Sequence, residues 1–419
     1  MTNNIYPKTN LKIIGKRFKN YRVQKGYSLR GIARSENVTP TLISEIETGK
    51  IYPNVETIER LYNHVDISLN TNMTYLADMK EHIELFNEAV YYQDTPKIEE
   101  QYGLLEKEQV NLKHSLLYVD YCLSYFSYQS AIMKNYSLSE IIDLEEHYDY
   151  FSEEQKQKFN LIKGVNLYKS KRIKDAINYL ERNLHIYANE RIYAVTITYL
   201  AFAYDKTFQI HNAIHYAKLS SDIHGEYANL QRKIATDLVY IKNLIEANRF
   251  HDANQTLNNL EITLNFDNHN QNVAFINQSH FLRSYILYRQ KHFQEALDVL
   301  STYGINDTAY MQYYKARIYM RLNDKDNAIK VLENSLDQKH NDFVYSRLNK
   351  LFLLCILEEY HHPDYERLID ELLENPLNLE DFNHYRFVVN IANDYYFITK
   401  QYDKAKNLTK QYIEHARFL

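Results

Sequence analysis

The chain has 419 residues, of which 45% are apolar and 25% charged, so it is long enough for about two or three globular units. Its net charge of −5 is uneven, because residues 1–66 hold eleven basic and six acidic side chains and the remainder carries −10. With only 8 glycines and 6 prolines, the turn signals of many-stranded sheets are scarce, and an all-helical fold is favoured. A basic head on an acidic body indicates that the head alone meets a polyanion.

Composition also argues against several functional classes. Cys122 and Cys355 lie in apolar, helical runs and form no disulfide framework, which predicts a reducing, cytoplasmic location. No apolar run approaches the roughly 18 to 20 residues of a membrane helix, and the N-terminus has no signal core. The glycines form no GxGxxG or P-loop, and there is no HExxH or paired CxxC. We therefore expect no membrane association, no metal, no cofactor and no enzyme activity.

The first 66 residues contain helical segments with clear start and stop signals. An amphipathic segment, LKIIGKRFKNYRVQKG, ends at Gly26, and Ser28 is suited to cap the short helix that follows. Thr39 caps a third helix that begins with Pro40, where a missing N–H costs nothing, and Gly49 ends it. A further amphipathic helix follows in PNVETIERLYNHV. The two middle helices, joined by a tight turn, predict a helix-turn-helix unit.

This head resembles the Cro/C1-repressor type of helix-turn-helix domain over nearly all of residues 11–66. The resemblance rests on Arg22, Gly26, Ser28, Ile32, Ala33, Val38, Ile43, Ser44, Glu47, Gly49 and Pro53. It implies a structural ion pair between Arg22 and Glu47. It also implies that the third helix enters the DNA major groove N-terminus first, with Ile43 and Ile46 facing the core.

Within that fold, Thr41 can hydrogen-bond to a base edge, Leu42 can touch a thymine methyl, and Glu45 can accept from cytosine N4. Phosphate contacts are expected from Ser28, Arg30, Arg17 and Lys50. The predicted DNA-binding residues are Arg17, Ser28, Arg30, Thr39, Pro40, Thr41, Leu42, Ser44, Glu45 and Lys50. Because Pro40 offers no donor and Glu45 is negative, one head should bind weakly. Two heads of a homodimer on a palindromic, double-stranded operator are therefore expected.

The body contains a recurrent nine-residue pattern with alanine at its fifth place. A small residue usually lies twelve positions before each alanine and a large apolar residue nine before it. The pattern resembles the tetratricopeptide repeat, of about 34 residues, over residues 155–419 and more loosely over 74–150. Such repeats stack into a superhelical solenoid with a concave face. The alanines are Ala176, Ala213, Ala253, Ala296, Ala328 and Ala405, with a degenerate repeat around HHPDYERLIDELL.

A Cro/C1-type head on such a body resembles the RRNPP family of peptide-pheromone receptors. The resemblance implies a cytoplasmic, homodimeric transcriptional regulator controlled by a short signalling peptide bound in the concave groove. In that family asparagines clamp the peptide backbone, since an amide both donates and accepts. The corresponding predicted peptide-binding residues are Asn166, Lys242, Asn243, Tyr285, Arg317, Asn349 and Asn390. The segment 313–336 is also somewhat similar to the arbitrium receptors of phages.

Two alternatives remain at this point. The repeat body could bind a phosphorelay partner instead of a peptide, or it could be purely structural in a constitutive repressor. We expect domain boundaries at 1–66 and 74–419, with residues 67–73 as a polar linker that acts as a hinge. The sequence leaves open whether a peptide would activate or release DNA binding.

Overall fold

The structure is a computed structural model that describes residues 5–131, 141–266, 273–302, 308–337, 343–374, 379 and 382–416. Helices joined by short turns make up nearly all of these residues, and the β pairing within them is limited to an isolated bridge between Asn70 and Ser115. The expected all-α architecture is confirmed. Two compact units, Met1–Tyr199 and Leu200–Leu419, divide the chain.

The first unit begins with four helices that form the head. They are α1 (Asn10–Gln24), α2 (Leu29–Ser35), α3 (Pro40–Glu47) and α4 (Val55–His64). The helices that follow are α5 (Met73–Tyr92), α6 (Thr95–Lys107), α7 (Gln109–Lys113), α8 (Tyr118–Ala131), α9 (Ile142–Glu145), α10 (Glu153–Lys169) and α11 (Ile173–Glu181). The boundary between the two units lies inside α12 (Glu190–Lys206). Part of the loosely repetitive segment 74–150, residues 132–140, lies outside the described residues.

The second unit continues as an alternation of antiparallel helices. They are α13 (Ile210–Glu226), α14 (Leu230–Glu246), α15 (Phe250–Phe266), α16 (Val273–Arg289), α17 (Phe293–Thr302), α18 (Ala309–Arg321), α19 (Lys325–Asp337), α20 (Phe343–Ile356), α21 (Asp364–Leu373), α22 (Phe382–Ile398) and α23 (Tyr402–Ala416).

The helix N-caps and the glycine helix stop predicted for the head are present in the structure. Ser28 Oγ accepts from the N–H of Gly31 at 3.0 Å, and Thr39 Oγ1 accepts from the N–H of Leu42 at 3.1 Å. Both side chains therefore satisfy amide groups that a helix start leaves unpaired. Gly49, just after α3, has a φ of +67°, a left-handed conformation that strains any residue with a Cβ.

The repeat alanines mark a recurring turn between helices. All six are at most 3% exposed. After α10, the N–H of Lys171 bonds to the carbonyl of Tyr168 at 3.0 Å, and the N–H of Arg172 bonds to that of Leu167 at 2.9 Å. This is the Schellman arrangement, whose left-handed residue lies five before the alanine. The left-handed residues of the six turns are Lys171, Phe208, Asn248, Lys291, Asn323 and Lys400.

The degenerate repeat has the same turn without the alanine. Glu358 has a φ of 60°, and the N–H of Glu359 bonds to the carbonyl of Leu354 at 3.0 Å. Pro363 occupies the place of the alanine, five residues after Glu358. The turn is therefore kept by backbone geometry even where the sequence pattern is absent.

Helix α1 packs against the body helices of the first unit. Ile13 is fully buried in a cluster that includes Phe126 and Phe159. Asn10 is also buried, and its amide donates to the carbonyl of Leu116 at 2.8 Å and accepts from Gln155 at 3.2 Å. The head therefore has fixed contacts with α8 and α10 besides its chain connection.

The predicted hinge, residues 67–73, has contacts of its own. Leu69 is 3% exposed in the same core as α4, and the N–H of Asn70 bonds to the carbonyl of His114 at 2.7 Å. Bending of the segment would break these contacts. The hinge role and the domain boundaries at 66 and 74 stay predictions.

Candidate nucleic-acid interface and ligand cleft

The candidate reading helix, α3, has one face in the core and one in solvent. Ile43 and Ile46 are fully buried, as predicted. Pro40, Thr41 and Ser44 are exposed, and the sequence-predicted Leu42 and Glu45 are half-buried. The first turn of α3 is therefore the part that can approach a base edge, which is the geometry a recognition helix needs.

An ion pair fixes the far end of α3 to α1. Arg22 donates to both carboxylate oxygens of Glu47, the second at 2.9 Å, and its side chain and that of Glu47 are only 11% and 4% exposed. The hydrogen bond to this carboxylate raises the pKa of the guanidinium. A third bond runs from Arg22 to the carbonyl of Tyr27 at 2.9 Å. The ion pair implied by the resemblance is thus present and bidentate.

The predicted phosphate contacts differ in availability. Ser28, Arg30 and Lys50 are exposed. Arg17 instead donates to the carbonyl of Lys113 at 2.8 Å, and its guanidinium carbon lies 3.4 Å from the centre of the Tyr118 ring. The structure gives Arg17 a packing role between α1 and the body. Its phosphate contact stays a prediction, and we leave it out of the proposed interface.

In the second unit, the predicted groove residues Lys242 and Asn243 converge on one carboxylate. Asn243 is buried and donates to Asp205 at 2.8 Å, and Lys242 pairs with the other oxygen of Asp205 at 3.0 Å. The asparagine amide also donates to the carbonyl of Val239 at 2.9 Å. In this conformation these side chains therefore join α12 to α14, and a ligand would have to compete with Asp205 for them.

A polar cluster connects α14, α16 and α22 within the second unit. Glu246 accepts from Tyr285 at 2.5 Å, from Arg289 at 3.1 Å and from Asn383 at 2.5 Å. Asn383 also donates to the hydroxyl of Tyr285 at 2.9 Å, and Arg386 donates to Asn383 at 2.7 Å. Of these residues the sequence predicted only Tyr285.

A cleft of about 350 Å³ opens beside this cluster. Its walls combine guanidinium, carboxylate, amide and imidazole groups, which match the donors and acceptors of a peptide. A signal for it existed in the sequence, because Glu246 and Arg289 both lie seven residues before a repeat alanine. The lining residues are Ile210, His211, Glu246, Ala247, Asn248, Arg289, Asn383 and Arg386.

The other predicted groove residues are dispersed. Asn349 is fully buried and donates to the carbonyl of Ala309 and to Ser335, so it holds helices together and we leave it out of the proposed cleft. Arg317 lies within 5.1 to 5.6 Å of the centres of three aromatic rings. Asn390 is exposed, and Asn166 is buried in the first unit. Ligand contacts by these residues stay predictions.

None of the described helices is both long and apolar enough to cross a bilayer. No group of three or more His, Cys, Asp or Glu side chains in the same part of the chain is arranged to hold a metal ion.

Comparison with protein families supports the head. Residues 15–78 match the model of a family described as a helix-turn-helix domain. This match covers α2 and α3 and confirms the sequence-based identification of the head. A search of curated protein sequences found no match.

Comparison with solved structures supports the body. NprR in complex with its cognate peptide NprX is 16% identical with a TM-score of 0.63, over 81% of this chain and 99% of that chain. The apo form of the quorum sensor NprR from B. thuringiensis is 17% identical, with a TM-score of 0.62 and the same coverage. A Rap protein complexed with Competence and Sporulation Factor is 14% identical with a TM-score of 0.59, over 81% and 98%. The chain has the fold of these proteins, which confirms the architecture expected from the RRNPP resemblance.

Proposed function

We propose that this chain is a cytoplasmic transcriptional regulator of the RRNPP kind. It binds double-stranded DNA through α2 and α3, and a short signalling peptide bound in the second unit controls that binding. The observation that carries the proposal is the combination in one chain of a matched helix-turn-helix domain, residues 15–78, with a repeat fold shared with a peptide-bound NprR. No catalytic step is part of this function.

The DNA half of the proposal is supported by the first turn of α3. Thr41 and Ser44 are exposed donors and acceptors on a helix whose other face is buried. The exposed Arg30 and Lys50 flank that helix in sequence and suit phosphate. Few base-reading side chains are present, so specificity depends on two heads on one symmetric site.

The peptide half is supported by the cleft beside Glu246. An extended peptide carries a donor and an acceptor at every residue and one charge at each end. The cleft supplies acceptors in Glu246 and Asn248 and donors in Arg289, Asn383 and Arg386. Because these groups already bond to one another, a peptide must replace their contacts. The peptide changes DNA binding only through unequal affinity for two arrangements of the protein.

The proposal also includes a homodimer, which is supported by exposed apolar side chains at the end of the second unit. Phe397, Ile398, Tyr402 and Ile413 are 60, 50, 57 and 49% exposed, the first two on α22 and the other two on α23. Large apolar side chains exposed on one pair of helices favour self-association. Sedimentation of the purified chain across a concentration series measures the dimer directly.

The DNA half is tested by gel shift with the full chain on the region upstream of its own gene. Thr41→Ala removes a base-reading hydroxyl and should weaken specific binding by about 1–3 kcal/mol, a five- to 150-fold loss. Thr74→Ala on α5 is the matched control and should leave binding unchanged. The assignment is refuted if the wild type binds this DNA no more tightly than scrambled DNA, or if Thr41→Ala binds this DNA as tightly as the wild type does.

The peptide half is tested by titration calorimetry. The probes are synthetic peptides copied from the C-terminal tail of any small secreted reading frame encoded beside this gene. Arg386→Gln should weaken a binding peptide, because it removes a cleft donor that is exposed. The absence of heat with every such peptide would refute the peptide half and favour a constitutive repressor.

A further inference from the structure

The N-terminal 35 residues have an extreme charge composition. They contain nine basic residues and no acidic residue, and the first carboxylate of the chain is Glu36. Two of the nine, Arg17 and Arg22, are engaged in the packing and ion-pair contacts described above. The recognition helix itself contributes no positive charge. The basic character of the head therefore lies mainly outside the helix that reads bases.

Three lysines of this set form a stripe along α1 and the turn before it. Lys12 and Lys16 are about one helical turn apart on α1, and Lys8 lies in the preceding turn, four residues before Lys12. No carboxylate in the described part of the chain lies within ion-pair distance of any of the three. Like charges at this spacing are unfavourable by a few tenths of a kcal/mol, roughly 0.2–0.5 per pair, unless a counter-charge is present.

Two tyrosines lie against the stripe. The ammonium of Lys12 is 4.2 Å from the ring centre of Tyr52, and that of Lys8 is 5.2 Å from it. The ammonium of Lys16 is 4.7 Å from the ring centre of Tyr150. These distances suit cation–π attraction, which holds an ammonium in place without neutralising it. Tyr52 is 45% exposed and comes two residues after Lys50.

Tyr150 links this stripe to the recognition helix from the body. It belongs to the segment between α9 and α10, and a Cβ built on Gly49 would lie 3.1 Å from its ring. Its hydroxyl faces the carbonyl of Thr48 at 3.5 Å. On the other side, α1 crosses α3 at Gly15, where a Cβ would lie 2.8 Å from the carbonyl of Ile46. The lysine stripe is therefore fixed at the crossing of α1 and α3.

A histidine close to the stripe responds to the charge of Lys16. Burial is the largest cause that lowers the pKa of His147 to about 4, and the charges of Lys16 and Arg17 act in the same direction, while Asp143 opposes them.

We propose that Lys8, Lys12 and Lys16, held by Tyr52 and Tyr150, form a second DNA-contact surface that binds the phosphate backbone beside the site read by α3. The surface rests on the proposed DNA-binding function and extends it, because one of its five residues, Tyr150, comes from the repeat body. Tyr150 is a positioning residue: it holds Lys16 and supports Gly49 at the end of the recognition helix. The body thus contributes to DNA affinity by holding Lys16 and the end of the recognition helix in place.

Duplex DNA fits this surface better than other polyanions. The stripe continues from the exposed Lys50 through Tyr52, on the loop that follows the recognition helix, so both surfaces can meet one ligand. Residues four apart on a helix are separated by about 6 Å along its axis, so Lys12 and Lys16 can reach separate phosphates of one strand, which follow one another about every 3.4 Å of the duplex axis. Phosphate contacts of this kind release counterions and therefore have a defined dependence on salt.

The test compares the salt dependence of DNA binding for full-length variants, measured by fluorescence anisotropy on operator and scrambled duplexes. Removing one phosphate-binding ammonium reduces the slope of log K against log salt by about 0.9. The double variant Lys12→Gln, Lys16→Gln should therefore lower the slope by about 1.8 on both duplexes while keeping the ratio of their affinities. Lys107→Gln on α6 is the control for a change of surface charge. A double-variant slope equal to that of Lys107→Gln would overturn the proposal.

The role of Tyr150 has its own readout. Tyr150→Phe keeps the ring face that attracts Lys16 and should keep the slope. Tyr150→Leu removes the ring and should lower the slope by up to about 0.9. A decrease in thermal stability of Tyr150→Leu with an unchanged slope would refute the positioning role.

Two further arms separate the possible outcomes. Thr41→Ala should change the operator-to-scrambled ratio and leave the slope unchanged, so failure of base reading is distinguished from failure of the stripe. Vesicles containing anionic lipid form the other arm. If the double variant loses vesicle binding while its DNA slope matches that of the wild type, the stripe binds a membrane surface and the DNA proposal is wrong.

Discussion

Removing Arg22 provides a demanding test of how the recognition helix is held. Arg22→Met keeps much of the apolar stem but removes the two bonds to Glu47 and the bond to the carbonyl of Tyr27. An exposed ion pair contributes only about 0–1 kcal/mol. Removing one partner of a buried pair costs about 3–5 kcal/mol, because the other charge stays desolvated without compensation. At 4% exposure, the Glu47 side chain belongs to the second case.

The change must be measured locally, because the repeat body dominates any whole-chain spectroscopic signal. Hydrogen–deuterium exchange of peptides covering residues 28–50 reports the opening of α2 and α3. A destabilisation of about 3–5 kcal/mol lowers their protection by a hundredfold to a few thousandfold. Lys25→Met is the matched control, since its ion pair with Asp66 is long, 3.9 Å, and both partners are exposed. Protection in that variant should fall by less than about fivefold.

The result that would refute this reasoning is equal protection in Arg22→Met and Lys25→Met. It would mean that the bidentate pair contributes no more than a surface contact and that apolar packing of Ile43 and Ile46 alone holds α3. DNA affinity gives a second readout. It falls in Arg22→Met only if the open form of α3 becomes the major population of the head, because a small open fraction leaves most heads able to bind.

Three further changes test the fold and its response to pH. Gly49→Ala should destabilise the head by about 1–2 kcal/mol in thermal unfolding, because alanine is strained at positive φ and its Cβ meets Tyr150; unchanged stability would contradict the left-handed geometry. Lys291→Gly should stabilise the second unit by up to about 1 kcal/mol in urea unfolding, because glycine adopts the left-handed turn without strain, and destabilisation would refute this. Burial lowers the pKa of His224 to about 3. Below pH ~6.5 the unfolded chain therefore takes up a proton at this residue that the folded chain does not. The free energy of unfolding should fall by up to about 1.4 kcal/mol per pH unit from pH ~6.5 towards pH 3. His224→Gln should flatten this fall in unfolding measured from pH 7 to 5, and an equally steep fall would assign it to other groups.

The features that the sequence predicted well are local ones. The caps at Ser28 and Thr39 and the stop at Gly49 depend on residues within one helical turn. The repeat alanines also depend on local sequence, since each follows five residues after the left-handed residue of its turn. The pair Arg22–Glu47 is 25 residues apart and was reached through resemblance to a family, which carries three-dimensional information that spacing lacks.

The features that the sequence predicted poorly depend on contacts across long stretches of chain. Glu246 meets Asn383, 137 residues away, and Tyr285 meets the same residue over 98. Helical phase indicates which face a side chain occupies, but not which partner that face meets. Asn243 and Asn349 show the same limit, because both were predicted to contact a ligand and their amides bond to neighbouring helices.

Arg17 illustrates a related limit. Its position on a basic helix predicts phosphate binding, while the structure packs it on Tyr118. The reason is that α1 has a second neighbour, the body helices of the first unit, which no pattern within the head reveals. The same docking brings Tyr150 to the end of the recognition helix, a contact between residues about a hundred positions apart that the sequence could not suggest.

Selection of binding sites from a random duplex library tests the central claim, that α3 reads DNA, most directly. The full-length wild type should enrich a palindromic motif, as expected for two heads on a symmetric site. The variant carrying Thr41→Ala and Leu42→Ala should lose preference at the same positions of both half-sites and keep its non-specific affinity. A library without any enriched motif, or an identical motif for the variant, would contradict the account.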